Sequence, residues 1–145
     1  MKAQLAAFGF GTSLETALVR RCFTIEHHEP ADPIYFGNSA LVLRTDGLQL
    51  RFVRDRGDVF VEFSPGSQLE WIGLRAVTRL ATPHLVHSDG IRLQLDLEDT
   101  PVHLLESGWQ ATVGLFSEEA LGRTRAAVEE MNKGGVARFL ERRSN

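Results

Sequence analysis

The chain has 145 residues, of which 43% are hydrophobic, 24% charged and 8% aromatic, a composition that excludes a disordered tail and suits one domain spanning 1–145. At 16.2 kDa it can bury a core without disulfides or metal, so no cofactor is expected. A net charge of −3 and a pI near 5.9 exclude the strong basic field of a general nucleic-acid binder.

Met1 to Phe10 carries one lysine in a short mixed run and lacks a signal peptide's apolar core, so export by that route is not expected. Charged residues interrupt every apolar run before it reaches the ~18 residues of a membrane helix. Cys22 is the only cysteine, which fits a reducing cytoplasm and reads as a small buried residue on a helix. Thr12 or Ser13 can cap that helix, and Leu14, Leu18, Cys22 and Ile25 recur near helical spacing as far as His28. Pro30, Asp32 and Pro33 then predict a connection.

From Ala40 the period becomes two. Ala40 to Thr45, Leu48 to Arg54 and Val59 to Phe63 predict three strands joined at Asp46-Gly47 and at Asp55-Arg56-Gly57-Asp58. Asp46-Gly47 suits a tight hairpin with positive φ at both central residues, and Gly57 the left-handed position of a longer loop. Leu48, Leu50 and Phe52 share one face with Val59, Val61 and Phe63 of the next strand, so one side of the meander is apolar and needs a cover. Leu69 to Leu80 predicts a second helix. Ile91 to Glu98 alternates as a strand, with Leu85 to His87 as its hairpin partner. Thr100-Pro101 opens a helix to Ala111, and Ser117 opens another that ends near Asn132, closed by Gly134 and Gly135. A last turn follows from Val136 to Arg142. The expected fold is α+β: an antiparallel meander sheet of four to five strands packed against N-terminal, middle and C-terminal helices.

Catalytic and metal patterns are sparse. His27-His28-Glu29 ends where prolines begin. His84, His87 and Asp89 could surround a metal, but the His-Glu-x-x-His spacing of zinc hydrolases does not occur. His103 stands alone. Cys22 has no histidine at a spacing that would position a base, and there is no Gly-x-Ser-x-Gly. Gly9-Phe10-Gly11 lacks the Gly-Lys-Ser/Thr of a phosphate loop. The Arg56-Gly57-Asp58 tripeptide is turn chemistry. Charge is more informative: Asp89 to Glu106 holds five acids against one arginine, a stretch suited to steering a basic partner. Arg44, Arg51, Arg54 and Arg56 form a contrasting basic strip.

The run Leu50-Arg51-Phe52-Val53-Arg54-Asp55-Arg56-Gly57-Asp58-Val59-Phe60-Val61, followed by Trp71, resembles a pattern in small bacterial toxin-immunity proteins and other small bacterial proteins. The resemblance covers about a quarter of the chain, from Ala40 to Trp71, through an Asp-Arg-Gly hairpin. It implies a small, acidic, non-enzymatic protein that occludes a toxin domain through an exposed charged patch. The order of elements is also similar to that of type III secretion chaperones, which implies a dimer with an apolar groove for an effector segment. A small metal-dependent enzyme using His84, His87 and Asp89 is the third class.

The leading expectation is a non-enzymatic protein-binding module, an immunity protein whose partner is a basic toxin domain, with no membrane or nucleic-acid partner. The chain could act as a monomer or a homodimer. Asp96, Glu98 and Asp99 would attract the partner, Trp109 is either a core residue or a nearby aromatic anchor, and the turn residues Asp55, Arg56 and Asp58 supply a second contact.

Overall fold

The alternating segments form an antiparallel meander with neighbours in the order β1-β2-β3-β4-β5. The computed structural model describes residues 1–32, 34, 37–66, 70–83 and 97–144, with the backbone alone described at 32 and over 134–144. The strands are β1 (Thr24–Asp32), β2 (Asn38–Thr45), β3 (Leu48–Asp55), β4 (Asp58–Ser64) and the two-residue β5 (Ile72–Gly73). The helices are α1 (Lys2–Ala7), α2 (Thr12–Arg20), α3 (Leu74–Ala81), α4 (Asp99–Leu105), α5 (Trp109–Leu115) and α6 (Leu121–Ser144). The α+β expectation therefore holds, with helices at the N-terminus, the middle and the C-terminus. Among the described residues no helix is long and apolar enough to cross a membrane.

The three central strands lie where the period-two pattern puts them, and the register explains the cover. Leu41, Phe52 and Val61 are aligned across β2, β3 and β4, as are Leu43, Leu50 and Phe63, and all six are buried. The rings of Phe8 and Phe10, on either side of Gly9, pack on Phe52 at 6.3 and 5.2 Å. Phe116 stacks on Phe63 at 6.3 Å. Leu14, Ala17 and Leu18 of α2, Val77 of α3, and Leu104 and Leu105 of α4 complete the core.

The helix expected from Thr12 is α2, preceded by the unexpected α1; it is shorter than its periodicity suggests, ending at Arg20 instead of His28, and the end is a Schellman motif. The amide of Phe23 donates to the Leu18 carbonyl at 3.0 Å and that of Cys22 to the Val19 carbonyl at 3.0 Å, with Cys22 left-handed at φ 61°. Leu18 and Phe23 are both buried, supplying the apolar contact of the motif. Cys22 is accordingly an exposed turn residue, not a buried helical one. The same device ends α1: Phe10 donates to Leu5 at 3.1 Å and Gly9 to Ala6 at 3.0 Å, with Gly9 at φ 87°.

Beyond Cys22 the chain enters β1, where a connection was expected at Pro30. Pro30 fits there because β1 is an edge among the described strands, where a missing donor is tolerated and pairing with another chain is discouraged. Register shifts between Ile25 and His27 and between Glu29 and Asp32 add to that protection.

Other boundaries also move. Ile72-Gly73 pairs with Phe63 and Glu62, so α3 begins at Leu74 rather than at Leu69, which lies outside the described residues. The helix expected from Thr100 to Ala111 is two helices, α4 and α5, broken at Glu106–Gly108, and its N-cap is Glu98. Ser117 precedes α6 in a turn where its hydroxyl accepts the Ala120 amide at 3.2 Å. Gly134 and Gly135 do not close α6, which continues to Ser144; glycine lowers helix propensity without forbidding the conformation. The segments 84–90 and 91–96, including the expected Leu85 to His87 strand, lie outside the described residues. Leu97 and Glu98, assigned to the following strand, sit in a turn before α4. The described fourth and fifth strands are β1 and β5.

Candidate protein-binding surface

Strand parity divides the sheet into a covered face and an outer one. On the outer face, alternate positions line up across β1, β2, β3 and β4 as successive rows. In the row of Val42, Arg51 and Glu62, Arg51 donates through Nε and Nη2 to Glu62 Oε1 at 3.1 and 2.8 Å. Its guanidinium also lies 4.3 Å from the centre of the Trp71 ring. In the neighbouring row Arg44 pairs with Glu26 at 3.7 Å. These arginines, half of the expected basic strip, are thus committed to carboxylates of their own sheet. Arg54 lies on the opposite face, 5.8 Å from the Phe8 ring centre.

Toward the β3–β4 turn the outer face changes character. Glu29, Ala40, Val53 and Phe60 occupy one cross-strand row, and Phe60 keeps 49% of its surface exposed. The next row ends in Asp55 and Asp58, which close the hairpin opposite each other. Between them Arg56 and Gly57 both have positive φ, 52° and 89°. This is the tight two-residue turn expected of the other hairpin, where Gly47 has φ 78° and Asp46 does not share its sign. The Arg56 amide donates to Asn38 Oδ1 at 2.9 Å, fastening the turn to β2. Asp55, Arg56 and Asp58 are exposed, and neither acid is ion-paired among the described residues.

The other expected contacts lie at helix ends. Glu98 Oε1 accepts the amide of Gly11 at 2.7 Å; Gly11 is the N-cap of α2, which has no side-chain cap of its own. A Cβ on Gly11 would stand 2.8 Å from that oxygen, so glycine permits the approach. At the far end Arg21 Nε donates to the Leu105 carbonyl at 2.7 Å and Nη2 to the Glu106 carbonyl at 3.3 Å. Arg21 also lies 5.0 Å from the Trp109 ring centre, while Phe23 meets Trp109 edge-on at 6.1 Å. Helices α2 and α4 therefore run side by side in the same direction, each capped at one end by a side chain bordering the other. Trp109 is partly buried against the core.

Asp99 is the exposed first residue of α4, where its charge favours the helix N-terminus. Asp96, with His84, His87 and Asp89, lies outside the described residues, and among the described residues no group of three His, Cys, Asp or Glu side chains is placed to hold a metal ion. A shallow cleft of about 300 Å³ is lined by Ala17, Arg20, Arg21, Leu105 and Glu106. Its cations are engaged by carbonyls and by Glu106, which Arg20 meets at 3.4 Å.

The structure thus brings Asp55, Arg56 and Asp58 together at one end of the sheet, and places Glu98, Asp99 and Trp109 along α4 and α5. Ala40, Val53 and Phe60 were not singled out from the sequence, yet a signal exists: each is apolar and out of phase with the buried residues of its own strand. Comparison of the chain with protein-family models, curated proteins and solved structures finds no match.

Proposed function

We propose that this chain is a non-enzymatic protein-binding module of the immunity type, which occludes a basic toxin domain with the outer face of its sheet. One observation carries the reading: the half-exposed Phe60 stands in an apolar cross-strand row beside a turn presenting Asp55 and Asp58. An aromatic anchor beside carboxylates that form no ion pair among the described residues supplies both burial and electrostatic steering. The backbone of the turn is held by Asn38, so less ordering is needed on association.

The test is recovery of the tagged full chain from its native host, followed by identification of what stays stoichiometric through gel filtration. The expected result is one partner with a basic binding domain, lost with Phe60→Asp and with Asp55→Lys/Asp58→Lys. It should be retained with Val113→Asp, a change on α5 at a residue that is 39% exposed. Equal retention by all variants, or no partner at all, would refute the reading. A secreted protein held in an extended form would favour a chaperone instead.

A further inference from the structure

The protein-binding reading leaves open which chemistry the outer face selects, and the arrangement of its charges answers that. Resting on that reading, we infer that the row Ala40, Val53 and Phe60 receives an apolar side chain from a polypeptide that carries lysine or arginine on either side of it. Side chains directly opposite in antiparallel strands stand about 4.5–5.5 Å apart, so the three residues form a continuous apolar floor across β2, β3 and β4.

Acidic groups border this floor on two sides. Glu29 extends the row on β1, its Oε1 hydrogen-bonded to His27 Nε2 at 3.0 Å, and the two exposed carboxylates Asp55 and Asp58 follow Val53 and Phe60 toward the turn. The nearest outer-face cations on the remaining side, Arg51 and Arg44, are neutralised by Glu62 and Glu26. Arg56, in the turn, offsets one acid and leaves the rim negative. Such a rim repels phosphate-rich surfaces and attracts cationic side chains. The complement is an apolar anchor flanked by cations, a pattern a basic protein surface can present and a nucleic acid or an anionic bilayer cannot.

The test uses the full ¹⁵N-labelled chain and the pentapeptide Lys-Lys-Leu-Lys-Lys, with Glu-Glu-Leu-Glu-Glu and Lys-Lys-Ser-Lys-Lys as counterparts. With the first peptide, amide shifts at Ala40, Val53, Asp55, Asp58 and Phe60 should saturate with a dissociation constant on the order of 1 mM, as suits so small a contact. Binding should weaken several-fold in added salt. The acidic peptide should leave the spectrum unchanged, and the serine peptide should bind several-fold more weakly. Phe60→Ser, with a dispersed spectrum verifying its fold, should reduce binding to the level of the serine peptide.

No shifts at about ten times that concentration, shifts elsewhere on the molecule, or equal response to the acidic peptide would overturn the inference. So would shifts of the same residues on concentrating the chain alone, which would assign the face to a second copy, or on adding phosphatidylglycerol vesicles, which would assign it to a membrane. These results concern the face and its chemistry. The protein-binding reading fails separately, if the native host yields no partner.

Discussion

Cys22 and Gly9 occupy equivalent positions in two helix-ending motifs, so they should respond in opposite directions to exchange. Cys22 holds φ 61°, a left-handed conformation that an L-residue adopts at a penalty of about 1–2 kcal/mol and glycine adopts freely. The side chain is exposed, so removing it sacrifices little packing. Against the relief stands the greater freedom glycine gives the unfolded chain, about 0.5–1 kcal/mol. Cys22→Gly should therefore stabilise the protein by about 0.5–1 kcal/mol. In a chain of this length that is a rise of about 1–4 °C in Tm. Gly9→Ala is the mirror experiment: at φ 87° an added Cβ meets no atom within 4 Å, so its effect is conformational, a loss of about 1 kcal/mol. Urea unfolding followed by circular dichroism would report both changes as shifts of midpoint at constant slope. If Cys22→Gly destabilises, or Gly9→Ala is neutral, the two ends are not set by left-handed residues and the assigned boundary of α2 loses its physical basis.

The Gly11–Glu98 contact predicts a thermodynamic coupling: Gly11→Ala should cost less in a Glu98→Ala background, where only the preference of an N-cap for glycine over alanine remains, than with Glu98 present, where a Cβ also meets the carboxylate, a non-additivity read from a double-mutant cycle in urea. Arg21→Ala removes two donors from α4 carbonyls and the contact with Trp109 and should lower stability by about 2 kcal/mol, with Arg21→Lys restoring less than half; an unchanged unfolding midpoint would refute the capping role. Phe52→Ala should cost about 3–5 kcal/mol because the ring is fully buried beneath Phe8 and Phe10, whereas Phe60→Ser should shift stability by less than about 1 kcal/mol. A large loss on Phe60→Ser would mean that the outer face is structural. Arg56→Asn, replacing a residue at φ 52° by one that tolerates it, should raise the unfolding midpoint by the equivalent of about 0.5 kcal/mol.

These predictions also separate what the residue pattern carried from what it could not. The meander was legible because burial on one face enforces period two, and Leu48, Leu50, Phe52, Val61 and Phe63 obey it. The end of α1 carries Gly9 at its left-handed residue, a local mark of termination. The equivalent residue of α2 is Cys22, so the apolar spacing from Leu14 to Ile25 runs through a helix end that no residue type announces. The break between α4 and α5 does carry a turn mark, Ser107-Gly108, with Gly108 as the N-cap of α5, but the groups satisfying the last carbonyls of α4 belong to Arg21, distant in sequence. Of the site, the Asp55–Asp58 turn could be seen in sequence as an exposed charged hairpin. Phe60 could be recognised as an outward aromatic only after Val59, Val61 and Phe63 were assigned to the core, since exposure is a property of register.

The acids of the region from Asp89 to Glu106 illustrate why a local excess of charge does not by itself locate an interface. Parallel neighbouring helices place like ends of their dipoles together, positive beside positive and negative beside negative, which is unfavourable unless opposite charges intervene. Glu98 supplies a carboxylate where α2 and α4 begin, and Arg21 supplies a guanidinium where α4 ends. Asp99 adds negative charge at the first turn of α4, and Glu106 meets Arg20 beside the last. The described part of the acidic stretch thus stabilises a pair of aligned helices, with its charge balanced by backbone dipoles and arginines. At the β3–β4 turn no helix end among the described residues stands beside Asp55 and Asp58 to balance them, and the adjoining row is apolar at Ala40, Val53 and Phe60. Their field extends into solvent, where the proposed cationic partner would supply beside Phe60 the compensation for Asp55 and Asp58 that Glu98 already finds within the fold.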